Sequence, residues 1–246
     1  MDFGKEAIEK IESLVKDSFT VQVDGRVYSA HSLNPVLYEP KAKAVDVATL
    51  TGFVDFVERN IDNLDLTNSY IAVVDGADAV YLHSTLLEQH RERETILAAT
   101  LDGKMTSFPF GIFIPQEDFI IKLHSLFEEK EGDDFEYVAM IVSRVTQANS
   151  ADTLDDGITQ HVTVKKGISG ALKESSMTKP IVRLSPYRTF REIEQPESQF
   201  LLRIRTDDRG NAEVALFEAD GGAWRNEARL RIAEYLKERI KVSVIA

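Results

Sequence analysis

Asp-Gly dipeptides restrict the fold of this 246-residue chain more than any other feature of its sequence. Glycine supplies the positive φ that a two-residue hairpin turn requires, and the flanking residues run in apolar or alternating patterns. Strands joined by so short a turn pair antiparallel. We therefore predict β-hairpins at four of the five Asp-Gly dipeptides, namely Asp24-Gly25, Asp75-Gly76, Asp102-Gly103 and Asp156-Gly157.

The segments predicted to be helical lie before, between and after these hairpins. Apolar residues at a spacing near 3.6, helix-start chemistry at Pro115 and the helix breaker Gly132 together predict five helices. The helices come in runs rather than in alternation with single strands, so the predicted class is α+β. The segments are 3–17, 47–61, 115–129, 133–143 and 224–240.

The complete prediction is an α+β fold with antiparallel β-sheets built from hairpins, flanking helices and a C-terminal helix. We expect a single domain over residues 1–246, with a subdivision near 130–144 as the alternative. The segment 167–180 has the composition of a loop. The candidate strands are 19–23, 26–30, 70–74, 79–83, 95–101, 104–108, 144–150, 158–166, 181–184, 200–205 and 212–217.

The absence of cysteine excludes a disulfide framework, a thiolate metal site and a catalytic thiol. The first residues are charged throughout and lack the apolar core of a signal peptide. No run approaches the roughly 20 apolar residues that cross a bilayer. We expect a cytoplasmic protein of the host cell with no membrane partner.

The net charge of −12 argues against nucleic acid as a partner, since phosphates attract cations. The charge is uneven, because residues 179–241 hold 13 Lys/Arg against 11 Asp/Glu. A local cationic surface for nucleic acid is a third, less favoured reading of this region. The alternative is that its arginines pair with neighbouring carboxylates.

Several enzyme signatures are missing from the sequence. It has neither of the glycine-rich phosphate loops, GxxxxGK[ST] and GxGxxG, and no GxSxG, HExxH or EF-hand pattern. The sequence predicts no cofactor.

A His-x-Thr pattern occurs twice, at His83 with Thr85 and at His161 with Thr163. Residues two apart on a strand point to the same face, so each pair could hold one phosphate oxygen. Two such strands could supply a general base and a general acid for phosphodiester cleavage. The pattern resembles that of the 2H phosphoesterase superfamily, which implies metal-independent chemistry with these four residues as the catalytic set.

Two other readings of the histidines stay open. With five histidines in the chain, a Ser or Thr at the +2 position can occur by chance. His83 and His90 could also bind a metal with His31 or Glu92, but such a spacing is not specific to metal sites. We therefore predict no metal ligand.

Arg183, Arg203 and Arg205 form the candidate anion-binding set. Arg203 and Arg205 share one face of a predicted strand, and guanidinium groups bind phosphate or carboxylate through two parallel hydrogen bonds. The alternative, which we favour, is that they form the solvated face of an edge strand.

The chain also resembles the YfdQ-like family of uncharacterised phage and prophage proteins. The segments that carry this resemblance are Leu50–Val57, Ala79–His83, Ile114–Phe119 and Leu201–Arg205 with the turn at Gly210. The resemblance implies a phage origin and an accessory role, and it brings no catalytic residues.

Two functions are therefore expected from the sequence. The first is a non-catalytic phage-type accessory protein that acts by binding itself, a host protein or a small anionic ligand. The alternative is a metal-independent phosphodiesterase that acts on nucleotides through the two His-x-Thr motifs. The sequence favours a protein that is not an enzyme.

Overall fold

A computed structural model gives the fold of the chain. It describes residues 4–17, 20–23, 26–29, 43–74, 76–87, 92–101, 107–145, 161–165, 173–177 and 179–246. In chain order the elements are α1 (Lys5–Asp17), β1 (Thr20–Val23), β2 (Arg26–Ser29), β3 (Val45–Val47), α2 (Leu50–Arg59), β4 (Tyr70–Val73), β5 (Ala79–His83), β6 (Thr95–Thr100), β7 (Ile114–Pro115), α3 (Gln116–Leu126), β8 (Phe127–Glu128), α4 (Phe135–Arg144), β9 (His161–Lys165), β10 (Lys173–Met177), β11 (Ile181–Pro186), β12 (Ser198–Thr206), β13 (Ala212–Glu218), α5 (Trp224–Lys237) and β14 (Ser243–Ile245).

The chain forms two compact units, residues 1–42 and 43–246. The first unit contains α1 and the antiparallel hairpin of β1 and β2, in which Val23 lies opposite Arg26. The predicted helix and hairpin are both present there, while the Asp24-Gly25 turn itself lies outside the described residues. The single-domain expectation stays a prediction.

The first sheet of the larger unit has the strand order β14-β4-β5-β6-β3. Its central hairpin pairs β4 with β5, as the apolar alternation predicted. Ile71, Val80, Leu82 and Leu97 are fully buried on one face, against apolar residues of α2 and α5. Both edge strands pair in parallel, β14 with β4 and β3 with β6, and the sequence did not indicate this.

Helix α2 begins at Leu50, three residues after the predicted start at residue 47. The Thr49 hydroxyl accepts a hydrogen bond of 3.0 Å from the Gly52 N–H, which satisfies one of the unpaired amides of the first turn. The helix ends at Asn60, whose left-handed conformation (φ 44°) is typical of a helix terminus.

The second sheet has the order β7-β13-β12-β11-β8 and is antiparallel throughout. Alternate residues of β12 are buried, and Phe200, Leu202 and Ile204 pack against apolar side chains of α3 and α4. The prediction of an edge strand carrying Arg203 and Arg205 is wrong, because β12 is the central strand of five. The edge strands of this sheet are β7 and β8.

Both predicted ends of α3 and the predicted loop 167–180 differ from the structure. Pro115 ends β7 and precedes α3 rather than occupying its first turn, and α3 stops at Leu126 because Phe127 is extended and pairs with β11. The predicted loop 167–180 contains β10, which pairs with β9. The sequence KESSM of β10 is polar and has no apolar alternation, which is why the pattern missed it.

The α+β class, with mostly antiparallel sheets and a C-terminal helix, is confirmed. Among the described residues, no helix has the length and apolar character that crossing a bilayer requires.

Candidate functional site

The outward face of the first sheet carries Tyr70, Tyr81 and His83, and we call it the tyrosine face. These side chains alternate with the buried residues of β4 and β5, so they point away from the core. The strand register places Tyr70 directly opposite His83. All three are half-buried, which leaves part of each ring accessible to a ligand.

Small residues flank Tyr81 across the strands. The register sets Ala72 on one side of Tyr81 and Ala98 on the other. The same row continues outward to Ile245 on β14 and to Asp46 on β3. The phenol ring therefore lies between two small residues. Ala72 is half-buried and Ala98 is only 4% exposed, so the accessible surface beside the ring is on the Ala72 side.

Ring contacts hold the aromatic side chains of this face together. The His83 imidazole centroid lies 5.1 Å from the Tyr70 ring and 6.1 Å from the Tyr81 ring, both tilted by 37°. The Arg93 guanidinium lies 4.9 Å from the Tyr70 centroid, a cation–π distance. An arginine-capped cluster of three rings is a surface suited to stacking.

A β-bulge opposite His83 changes which residue of β6 faces its side chain. Leu82 pairs with Leu97, but His83 pairs with Thr95, so β6 contains one extra residue at this point. Such a bulge redirects a side chain and is common beside binding sites. The Thr95 hydroxyl lies 3.4 Å from His83 Nδ1, at hydrogen-bonding distance.

His83 is held in its neutral form at physiological pH. Burial lowers the pKa of His83 below its usual 6.5, and the positive charge of Arg93 lowers it further. Arg93 is in turn fixed by a hydrogen bond to the Ser84 carbonyl. A neutral imidazole can accept a proton or stack on a ring, but it adds no charge for an anion.

Thr85 does not share a strand with His83. Strand β5 ends at His83, and Thr85 follows it in an irregular segment, where its carbonyl accepts a hydrogen bond of 2.8 Å from the Ser84 hydroxyl. The two-residue periodicity that placed this histidine and threonine on one face therefore does not apply here.

His161 and Thr163 lie two apart on β9, opposite Met177 and Ser175 of β10. This two-stranded sheet is separate from the sheet that carries His83. The side chains of residues 161–165 and 173–177 lie outside the described part of the chain. The convergence of the two motifs stays a prediction, and so does the role of these four residues.

The candidate anion-binding arginines already have acidic and aromatic neighbours. Arg183 lies 3.5 Å from Glu197 and donates to the Gly132 carbonyl. Arg205 donates to Glu213 at 2.8 Å and stacks over Phe113 at 4.0 Å. Arg203 lies on the same outward face of β12 and is half-buried. An anion that bound here would compete with two carboxylates.

The metal alternative finds no set of ligands in the part of the chain that the structure describes. No group of three or more His, Asp or Glu side chains there could hold an ion. His31 and His90 lie outside those residues.

Arg188 is a buried cation that sequence reasoning missed. Its guanidinium lies 4.1 Å from the Trp224 ring centroid and 5.6 Å from those of Phe110 and Phe200. It pairs with Glu218, and its side chain is only 10% exposed. Burial lowers the pKa of Arg188 to about 10, against the opposing effect of the nearby carboxylates, so it stays charged at neutral pH. The local sequence shows only an arginine two residues after a strand, and the partners of its side chain lie 10 or more positions away.

Trp224 packs with the core of the first sheet, and Phe110 and Phe200 pack with the core of the second. Arg188 therefore lies where the two cores meet. Arg188 contacts three rings and a carboxylate there, so we infer that it stabilises the packing of the two cores and do not assign it to the binding site.

Comparison with family models, with curated proteins and with solved structures gives no match for this chain. The resemblance to the YfdQ-like family therefore stays a prediction. Functional inference rests on the geometry of the site itself.

Proposed function

We propose that this chain is a non-catalytic accessory protein of phage type, located in the cytoplasm of the host cell, that acts by binding. The phage origin rests on the resemblance to the YfdQ-like family. The observation that carries the binding role is the tyrosine face, with Tyr70, Tyr81 and His83 half-exposed beside Arg93. Self-association, a host protein and a small anionic ligand are the partners that this proposal covers.

The chemistry of the face favours a small ligand that combines a planar ring with an anionic group. Aromatic side chains stack on any planar π system, and this contributes about 1–3 kcal/mol per nucleic acid base. Ala72, which is half-buried opposite Tyr81, provides a small accessible neighbour beside which such a ring can stack. Nucleotides belong to this class of ligand.

The charges around the face orient that ligand. Arg93 stacks over Tyr70 and its charge acts on His83, so it makes the His83 end of the face positive. Asp46 ends the row that contains Tyr81, and its carboxylate would repel an anion at that side. The anionic group should therefore lie toward Arg93, with the ring over Tyr81.

Calorimetric titration with AMP and UMP, using ribose 5-phosphate as the probe that lacks a ring, tests this proposal. We expect the nucleotides to bind at least tenfold more tightly than ribose 5-phosphate. Tyr81→Ala should weaken nucleotide binding by about 5- to 150-fold, the range that corresponds to the stacking energy. Tyr28→Ala is the matched control, because Tyr28 is 54% exposed and lies in the other compact unit.

Failure of both nucleotides to bind, or equal affinities of the wild type and Tyr81→Ala, would contradict the proposed ligand class. Arg93→Gln should weaken both nucleotides and ribose 5-phosphate, since it removes the charge and keeps the ring surface. If Arg93→Gln weakens the binding of the nucleotides but not of ribose 5-phosphate, the anionic group does not bind beside Arg93.

The metal-independent phosphodiesterase is the second candidate. The observation that favours it is the half-exposed His83 with its lowered pKa, because a neutral imidazole is the form that a general base needs. Incubation with 2′,3′-cyclic AMP and a chelator tests it directly. Turnover that is lost in both His83→Ala and His161→Ala, and kept in His124→Ala, would support this candidate. Binding without turnover would exclude it.

A further inference from the structure

The four edges of the two described five-stranded sheets differ in how they are protected. An unpaired edge can add a strand from another chain, and proteins block this with charge, proline or very short strands. Strand β7 has two residues and includes Pro115, and β8 has two residues and includes Glu128. Strand β3 carries Asp46 at its centre.

Strand β14 is also short, with three residues, but it lacks the other two protections. Its sequence is Ser243-Val244-Ile245, without charge or proline, and Ile245 is 57% exposed. It pairs with β4 on one side, and no described strand pairs with its other side. Its outer N–H and C=O groups can therefore bond to an additional strand.

A groove between α5 and β14 lies next to this edge. It has a volume of about 710 Å³ and an apolar floor that includes Ala233 and Val244, and Ile245 borders it at the strand edge. Leu230 stands at its rim and is 67% exposed, although it is a large apolar side chain. Leu230, Glu234 and Lys237 are spaced so that they line one side of the helix. A free strand edge and an apolar groove thus form one continuous patch.

The charges of the patch are self-complementary. Lys237 lies between Glu234 and Glu238 on the groove wall, so both signs are present on a single surface. In a two-fold dimer the same patch is used by both copies, and residues away from the two-fold axis contact different residues of the other copy. Lys237 of one copy can then face Glu234 or Glu238 of the other. A patch of one sign would repel itself in this arrangement.

We propose that β14 pairs antiparallel with β14 of a second copy of this chain, with Leu230 of each copy inserted toward the groove of the other. The pairing joins the two five-stranded sheets into one ten-stranded sheet. It deepens the self-association part of the proposed function. When the two-fold axis is perpendicular to the sheet, the tyrosine faces of both copies lie on the same side.

The size of the patch limits its affinity. Strand β14 has three residues and eight residues line the groove, against roughly 20–30 residues per partner in a stable interface. We therefore expect a reversible dimer with a dissociation constant in the micromolar range, rather than an obligate one.

Sedimentation equilibrium of the full chain, from about 1 µM to about 500 µM, measures this dimer. Ile245→Lys and Leu230→Glu should each raise the dissociation constant at least tenfold, and both side chains are exposed enough for the fold to tolerate the change. Ile121→Lys is the matched control, because Ile121 is 58% exposed on α3 and should leave the constant unchanged. Lys237→Glu should also weaken the dimer, and adding Glu234→Lys should restore it.

The absence of native cysteine provides a second test of the strand pairing. In an antiparallel pair about a two-fold axis perpendicular to the sheet, one residue of the strand lies opposite its own copy, at a distance that a disulfide can span. One of the single variants Ser243→Cys, Val244→Cys and Ile245→Cys should therefore form a covalent dimer under mild oxidation. Ile121→Cys should not.

A wild-type chain that is monomeric at 500 µM would overturn this inference. So would a dimer that Ile245→Lys and Leu230→Glu leave intact, since the copies would then meet elsewhere. Nucleotide binding by Tyr81 can be measured on the monomer at low concentration. Loss of the dimer and failure of the ligand proposal are therefore separate outcomes.

Discussion

Removing the guanidinium of Arg188 should destabilise the larger unit more than removing any exposed arginine. The side chain is only 10% exposed and lies 4.1 Å from the Trp224 ring. It also pairs with Glu218 and donates to the Ser198 hydroxyl. Truncation to alanine would leave a carboxylate and a buried hydroxyl without their donor, and a cavity between three rings.

The magnitude follows from these contacts. Breaking a buried ion pair by removing one partner costs about 3–5 kcal/mol, and the lower end applies because Glu218 is 35% exposed and can be hydrated again. Loss of the cation–π contacts adds about 1 kcal/mol. We expect Arg188→Ala to cost about 4 kcal/mol, against a total stability of about 5–15 kcal/mol for a typical domain.

Urea denaturation followed by tryptophan fluorescence measures this effect at the site itself, because Trp224 is the only tryptophan of the chain. With an m value of about 1–3 kcal/mol/M, the midpoint should fall by more than about 1 M. Arg191→Ala is the matched control, since Arg191 is exposed and stacks over Tyr187. It should cost less than about 1 kcal/mol.

Two results would refute this reasoning. The first is a cost for Arg188→Ala no larger than that for Arg191→Ala. The second concerns the double variant Arg188→Met with Glu218→Gln, which removes both charges and should recover most of the lost stability. A double variant as unstable as Arg188→Ala would show that the ion pair is not the source of the effect.

Three further predictions concern smaller parts of the structure. Thr49→Ala should lower the free energy of unfolding, measured by urea denaturation, by about 1 kcal/mol, because the N-terminal cap of α2 is lost. Thr49→Ser keeps the capping hydroxyl and should have a free energy of unfolding close to that of the wild type. Asp134→Ala should lower the free energy of unfolding by about 2 kcal/mol in the same assay, because the carboxylate accepts two hydrogen bonds from Lys179 at 2.7 and 2.8 Å. The free energy of unfolding of Asp134→Asn should lie between those of the wild type and Asp134→Ala. Burial and the charge of Arg93 lower the pKa of His83 in the folded chain, so the unfolded chain takes up a proton at a higher pH than the folded chain does. The free energy of unfolding should therefore fall as the pH drops below about 6.5. Urea midpoints measured at pH 7.5, 6.5 and 5.5 should fall less steeply in His83→Gln than in the wild type.

Local patterns predicted the parts of the fold whose partners are close in sequence. The β4–β5 hairpin and the alternation of β12 follow from residues within about 10 positions of each other. The parallel pairing of β14 with β4 joins residues near opposite ends of the larger unit, and no local periodicity encodes it. The same holds for the central position of β12, which depends on β11 and β13 lying on either side.

The candidate site was predictable only in part. His83 was singled out from the sequence for its neighbour Thr85, yet the structure surrounds it with Tyr70, Tyr81 and Arg93 instead. Recognising that group requires the strand register, which sets Tyr70 opposite His83 across a turn. A bulge in β6 then changes which residue faces the imidazole. Side-chain clusters of this kind arise from pairing, so composition and spacing cannot reveal them.

The parallel pairing of β14 with β4 also sets the order in which the first sheet can form during synthesis. Ser243 pairs with Tyr70 but follows it by about 170 residues. At about 5–20 residues per second, a ribosome needs roughly 9–35 s to make the intervening chain. Throughout that time β4, with the sequence Tyr-Ile-Ala-Val, lacks its neighbour on that side. The nascent chain thus presents an apolar strand edge for seconds before its own partner emerges, and this interval is when a chaperone would be most needed.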